Sequence, residues 1–217
     1  MSFPYHSSVP LVPGSLHCLT REHDNCGMGA IANIQGDVSH EILEMALTSV
    51  SSMTHRGAVD ADMKTGDGSG VLTQIPFPLF KKAAQKYSVN IDSQYDMAVG
   101  VFFLPSEDYK LKQKIQTLAE DIISKRSIEL IGWREVPVDV AALGKIARKT
   151  CPDIYHLLLK RPHYLEGDDF ERQLYLCRRE IERDTADVAD FYIPSLSSRL
   201  ISYKALAMPE ALRNFYK

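Results

Sequence analysis

The chain has 217 residues, 45% of them hydrophobic, with a formal net charge of −3 and a pI near 6.2. This balance gives no reason to expect nucleic acid or an anionic membrane surface as a partner, and the length allows one large or two small domains around a sizeable core. Four cysteines, Cys18, Cys26, Cys151 and Cys177, are scattered without CxxC spacing, which argues against a zinc site or a thioredoxin-like motif. The N-terminus lacks a basic region followed by a long apolar run, and no apolar segment is long enough to span a bilayer. A cytoplasmic setting with free thiols is expected.

Residues 1–25 hold three prolines and no sustained periodicity, and read as an extended leader rather than a folded unit. Cys26–Ile34 reads as a strand. Ser39 is placed to cap a helix through about Thr54, with Ile42, Leu43, Ala46, Leu47 and Val50 on one face. A long loop from His55 to Gly70 precedes a short strand, Val71–Ile75, and Pro76 marks a break before a helix from about Leu79 to Tyr87. The run MAVGVFFL, Met97–Leu104, predicts a central strand buried on both faces. Ser106 is the expected cap of a helix to about Lys125. Ile128–Val136 follows as a strand, Val140–Lys149 as a short helix and Ile154–Leu159 as a strand. Asp168 with Glu171 resembles a capping box, and Phe170, Leu174, Cys177 and Ile181 then form one apolar helical stripe. Arg172, Arg178, Arg179 and Arg183 fall on the solvated side of that helix, interleaved with acids. Phe191–Ser195 and Leu200–Tyr203 read as two strands joined by a short turn, and Pro209–Phe215 as a last helix. The regularity suggests an α/β chain, but neither a P-loop nor a dinucleotide fingerprint is present.

Two stretches carry possible chemistry. In REHDNCGMGAIANIQGD, Cys26 is either a small buried hydrophobe at a strand end or a nucleophile. The loop THRGAVDADMKTGDGSGVL is rich in glycine and aspartate, as exposed turns often are. It lacks the twelfth-position glutamate of an EF-hand, so calcium is not expected.

Cys26-Gly27-Met28-Gly29, His55-Arg56-Gly57-Ala58 and Thr65-Gly66-Asp67-Gly68-Ser69-Gly70 together resemble the class II glutamine amidotransferase domain of the glutamate synthase large subunit. EHDNCGMG, SHEILEMAL, GWREVPVD, FERQLYLCRREIE and FYIPSLSSRLISYK follow in the family's order and approximate spacing, so the resemblance covers essentially the whole chain. It implies an α+β N-terminal nucleophile hydrolase fold: an αββα sandwich of two mostly antiparallel sheets between helical layers. It also implies that residues 1–25 are a removable propeptide-like segment and that 26–217 are the domain. Cys26, once first in the chain, would use its own α-amine as base, because a free α-amine has a pKa near 7.7–8. Its thiol would attack the glutamine side-chain amide, release ammonia and leave a thioester for water to hydrolyse. The resemblance gives Arg56 the place beside the nucleophile, on the substrate, and makes Gly27, Gly57 and Asp67 supporting positions.

The sequence departs from the family in three respects. The downstream His-x-Arg motif and the Asn-Gly-Glu motif that supplies the oxyanion hole are missing, and Ala205 stands where glycine is usual. Losing one oxyanion donor costs about a hundred- to a thousandfold, so an incomplete domain with little activity by itself is expected. The family's FMN and iron–sulfur cluster belong to parts outside this sequence, so no cofactor or metal is expected in the chain. The expected partners are glutamine and a chain carrying the rest of a glutamate synthase. The alternative is a non-catalytic remnant or interaction protein.

Overall fold

In the computed structural model, which describes residues 27–53 and 64–217, the run MAVGVFFL is β2 (Met97–Leu104), buried except at Phe103. As its composition predicts, it is an inner strand. It lies between β4 (Asp153–Lys160) and β5 (Tyr192–Ser197), with β3 (Glu129–Glu135) beyond β4. Every pairing in this four-stranded sheet is antiparallel. A second, two-stranded antiparallel sheet joins β1 (Ser69–Gln74) to β6 (Leu200–Ala205), with Ser69 opposite Ala205 and Gln74 opposite Leu200. The chain is therefore mixed α and β with antiparallel sheets.

Each face of the larger sheet has its own core. On one face α3 (Tyr109–Ser124) and α5 (Gly167–Asp184) place Ile115, Ile122, Phe170 and Leu174 against Phe102 and Leu157. On the other, Phe80 of α2 (Phe77–Gln85), Ile201 of β6 and Phe215 of α6 (Pro209–Phe215) meet Val99, Val101 and Leu158. Ala147 of α4 (Lys145–Lys149) joins this second core. The predicted stripe Phe170, Leu174, Cys177 and Ile181 is buried throughout. The arginines on α5's outer side pair with its acids, for example Arg178 with Glu182 at 2.8 Å. α1 (His40–Ser52) lies on β1 and α6, held by Glu44–Arg213 at 2.5 Å, and buries none of its residues.

Local chemistry explains where helices start. Ser39 Oγ accepts from Glu41 N at 3.0 Å, as expected. The cap of α3 is Asp108, not Ser106: Asp108 Oδ1 accepts from Leu111 N at 2.9 Å. Asp168 and Glu171 form no capping box. Asp168 pairs with Arg199, and the Glu171 carboxylate accepts from Ser197 and Ser198 in the β5–β6 turn, so tertiary contacts have claimed both acids. The helix predicted over 140–149 breaks in two. Asp139 caps a single 3₁₀ turn at Val140–Ala142, Leu143 turns extended, and α4 begins after Gly144.

The predicted strand Cys26–Ile34 is not formed where it is described. Residues 27–33 carry no regular structure, and Met28 and Ile34 are 94% and 98% exposed. A strand needs a hydrogen-bonded neighbour, and among the described residues none lies beside this segment. Asn33 instead starts a turn, its Oδ1 accepting from Gln35 N at 2.7 Å, and Gly36 completes it at φ +79°.

Sheet edges are managed by side chains. Along β6, Ser197 Oγ accepts from Leu200 N at 3.1 Å and Ser195 Oγ from Ser202 N at 3.1 Å. The Tyr216 hydroxyl accepts from Lys204 N and donates to Lys204 O, the latter at 2.6 Å. Pro194 lies in β5, an edge strand, where a missing N–H is tolerated. On β3 the Tyr87 hydroxyl donates to Trp133 O across a bulge at Gly132, whose φ is +156°. A Cβ at Gly132 would collide with the Tyr87 ring. Gly132→Ala is expected to destabilise the protein by about 2–4 kcal/mol. Urea denaturation checks this, and an unchanged midpoint would mean Tyr87 moves aside freely.

Candidate functional site

The chain that follows Cys26 runs over the end of α1. A Cβ on Gly27 would lie 2.8 Å from Met53 Sδ, and one on Gly29 would lie 3.1 Å from Ser49 Oγ. Small residues therefore let this segment approach the last turn of the helix, the point from which the chain enters the His55–Gly70 loop. Cys26, Arg56 and Gly57 lie outside the described residues, whereas Gly27 and Asp67 lie within them.

The far end of that loop is tied down in order. Lys64 O accepts from Met208 N at 3.4 Å. Thr65, buried at 3% exposure, accepts at Oγ1 from Ala147 N at 3.3 Å. Ser69 Oγ donates to Ala207 O at 3.1 Å. Gly68 sits at φ +118°, a left-handed conformation natural only to glycine. At Gly70 a Cβ would stand 2.8 Å from Tyr203 O, so the β1–β6 pairing requires glycine there. Asp67 is exposed at the tip of this anchored turn. Gly27 thus packs on the end of α1 and the 64–70 turn on the β6–α6 connection, while the Glu44–Arg213 pair ties α1 to α6.

In the core between the two sheets lies a polar group that the sequence did not single out. His156 of β4 is 1% exposed, stacks edge-on to Phe80 at 5.0 Å and to Tyr203 at 6.1 Å, and takes a hydrogen bond at Nδ1 from Arg134 Nη1 at 3.1 Å. Its Nε2 has no partner among the described residues. Burial, then the Arg134 charge, pushes its pKa down to about 3, so the ring is neutral at pH 7. Burial likewise raises the Tyr203 hydroxyl to about 12. The only signal in the sequence was a histidine between the apolar residues of DIYHLLLK. Among the thiols described, burial raises Cys177 to about 11 and also raises Cys151, so both are poor nucleophiles.

Among the described residues no cluster of His, Cys, Asp or Glu is arranged for a metal, and no helix is long and apolar enough to cross a membrane.

Residues 26–217 match the family described as class-II glutamine amidotransferases. The chain is 38% identical over 205 residues to ferredoxin-dependent glutamate synthase 1, chloroplastic/mitochondrial, of Arabidopsis thaliana, covering 93% of this chain and 13% of that protein. It is 36% identical over 197 residues to the glutamate synthase (NADPH) large chain of Bacillus subtilis, covering 90% and 13%. Against ferredoxin-dependent glutamate synthase 2 of Synechocystis it is 34% identical over 227 residues, covering 100% and 14%. The chain thus spans a small part of the length of the relatives it matches.

Proposed function

The chain belongs to the class II glutamine amidotransferases, and from this premise we propose that it is the glutamine-hydrolysing portion of a glutamate synthase, with Cys26 as nucleophile. The observation that carries the reading is that the family match opens at Cys26 and runs on without a break. Residues 1–25 then act as a removable leader and 26–217 as the domain. The layer order supports an αββα arrangement: α3 and α5, the larger sheet, the β1–β6 pair, then α1.

In the proposed reaction the Cys26 α-amine takes the thiol proton and the sulfur attacks the side-chain carbonyl carbon of glutamine. The tetrahedral adduct expels ammonia, which leaves with that proton, and a thioester remains. Water adds to the thioester, the C–S bond breaks, and glutamate and the thiol are regenerated. Arg56 holds the substrate beside the sulfur. Gly27 and Gly57 permit the close approach, and Asp67 shapes the turn. The raised thiols of Cys151 and Cys177 support giving the role to Cys26. Nothing in this step needs a metal, FMN or an iron–sulfur cluster from this chain. The half-covered apolar stripe of α1 supports a second polypeptide, one carrying the rest of the synthase, packing there.

The test is glutamine-dependent ammonia release, paired with the intact mass of the protein from its own host. Turnover should belong to the form whose first residue is Cys26. Full turnover by a form that retains residues 1–25 would exclude the α-amine as base.

A further inference from the structure

We infer that Thr65 is a positioning residue for glutamine hydrolysis, a role that rests on the function proposed above: its hydroxyl pins the end of the loop that carries Arg56 and so sets how tightly substrate is held. α4 begins without a cap of its own. Gly144 stands at its N-cap and has no side chain to accept from the first turn, whose N–H groups need an acceptor. The oxygen that answers Ala147 N comes from 82 positions upstream: Thr65 Oγ1 accepts from it at 3.3 Å. Thr65 is 3% exposed and Ala147 2%, so water is a poor substitute for either partner. Ala147 belongs to the core that holds Phe80 and Val99, so the hydroxyl ties the loop to the packed body of the chain.

The neighbouring ties are of another kind. The bond from Met208 N to Lys64 O is made by main chain alone. Ser69 already belongs to β1, which its ladder to β6 holds in any case. Thr65 supplies a side-chain tie ahead of that strand. At its other end the loop leaves α1 at Met53, on which Gly27 packs, and Gly27 follows the proposed nucleophile. Arg56 stands three residues beyond Met53 and nine before Thr65. Freeing one end of such a segment multiplies the conformations open to it, and a guanidinium that must meet substrate in one place then binds it less well. The chemical step at the Cys26 sulfur, which adjoins the other end, is spared.

Thr65→Val nearly keeps the shape and removes the hydroxyl. In the form whose first residue is Cys26 it should raise KM for glutamine by about tenfold and leave kcat within about threefold, and Thr65→Ser should restore the parent KM. Arg148→Gln is the control. It strips the bonds from α4 to the Ala141 and Leu143 carbonyls, so it should lower the denaturation midpoint and leave KM unchanged. Hydrogen exchange, read peptide by peptide, needs no turnover. Residues 54–66 should exchange about tenfold faster in Thr65→Val than in the parent or Thr65→Ser, with β2 and β4 unchanged. Should the valine variant not fold, Thr65→Ala takes its place. Unchanged exchange overturns the proposal whether or not the parent hydrolyses glutamine. Faster exchange with an unchanged KM reduces Thr65 to a helix cap and overturns the positioning role, as does an equal rise in KM from Arg148→Gln. A parent without turnover would count against the proposed function instead, and exchange would still decide whether Thr65 pins the loop.

Discussion

Cys26→Ala is expected to remove glutamine hydrolysis, by about 10⁴-fold or more, because the proposed thioester forms on the Cys26 sulfur. The loss should come without a loss of fold. Among the described residues both cores are assembled from residues after Gln74, beginning with Ile75, Phe77 and Phe80. Cys177→Ala is the informative companion. It opens a void beneath α5 at a fully buried position and should cost stability while leaving turnover per folded molecule unchanged. Ammonia release and a denaturation curve on both variants separate the two effects. Residual turnover in Cys26→Ala within tenfold of the parent would remove Cys26 from the mechanism.

A second large effect is expected on acidification. The unfolded chain protonates His156 near 6.5, whereas the folded chain holds it neutral down to about 3. Below pH 6.5 the unfolded state therefore binds a proton that the folded state refuses. Stability falls as pH falls through that window, by on the order of 4 kcal/mol in total. The groups facing the ring sharpen this: Arg134 repels the imidazolium, Tyr203 stays neutral, and Phe80 offers no acceptor. His156→Gln should flatten the decline. Denaturant midpoints at pH 7, 5.5 and 4.5 measure it, with the variant removing the contribution that carboxylates make in both proteins. Parallel slopes would show that the ring protonates without penalty.

What could be read beforehand followed locality. The stripe Phe170, Leu174, Cys177 and Ile181 repeats at helical spacing, and MAVGVFFL is apolar without interruption, so each declares its burial within a few residues. Ser39 likewise needs only Glu41. Where tertiary contacts compete, the local pattern misled. Asp168 and Glu171 have capping spacing, yet Arg199 and the Ser197–Ser198 turn offer them stronger partners. GMGAIANI has a strand's composition, but composition supplies no neighbouring strand. The Arg134–His156 contact joins residues 22 positions apart on paired strands, and it follows from a register that no short window contains. The candidate site was legible as motif order. Its arrangement was not: nothing in TGDGSG says that the turn hangs from Ala207 and Met208.

The hydroxyls along β6 limit how the small sheet can grow. With Ser197, Ser195 and Tyr216 occupying the outer side of β6, that side is closed to an incoming strand. Polymerisation by strand addition needs two sticky sides per molecule, one to receive and one to offer. A sheet whose β6 side is closed by its own hydroxyls cannot be extended there, so that side neither receives nor offers a strand.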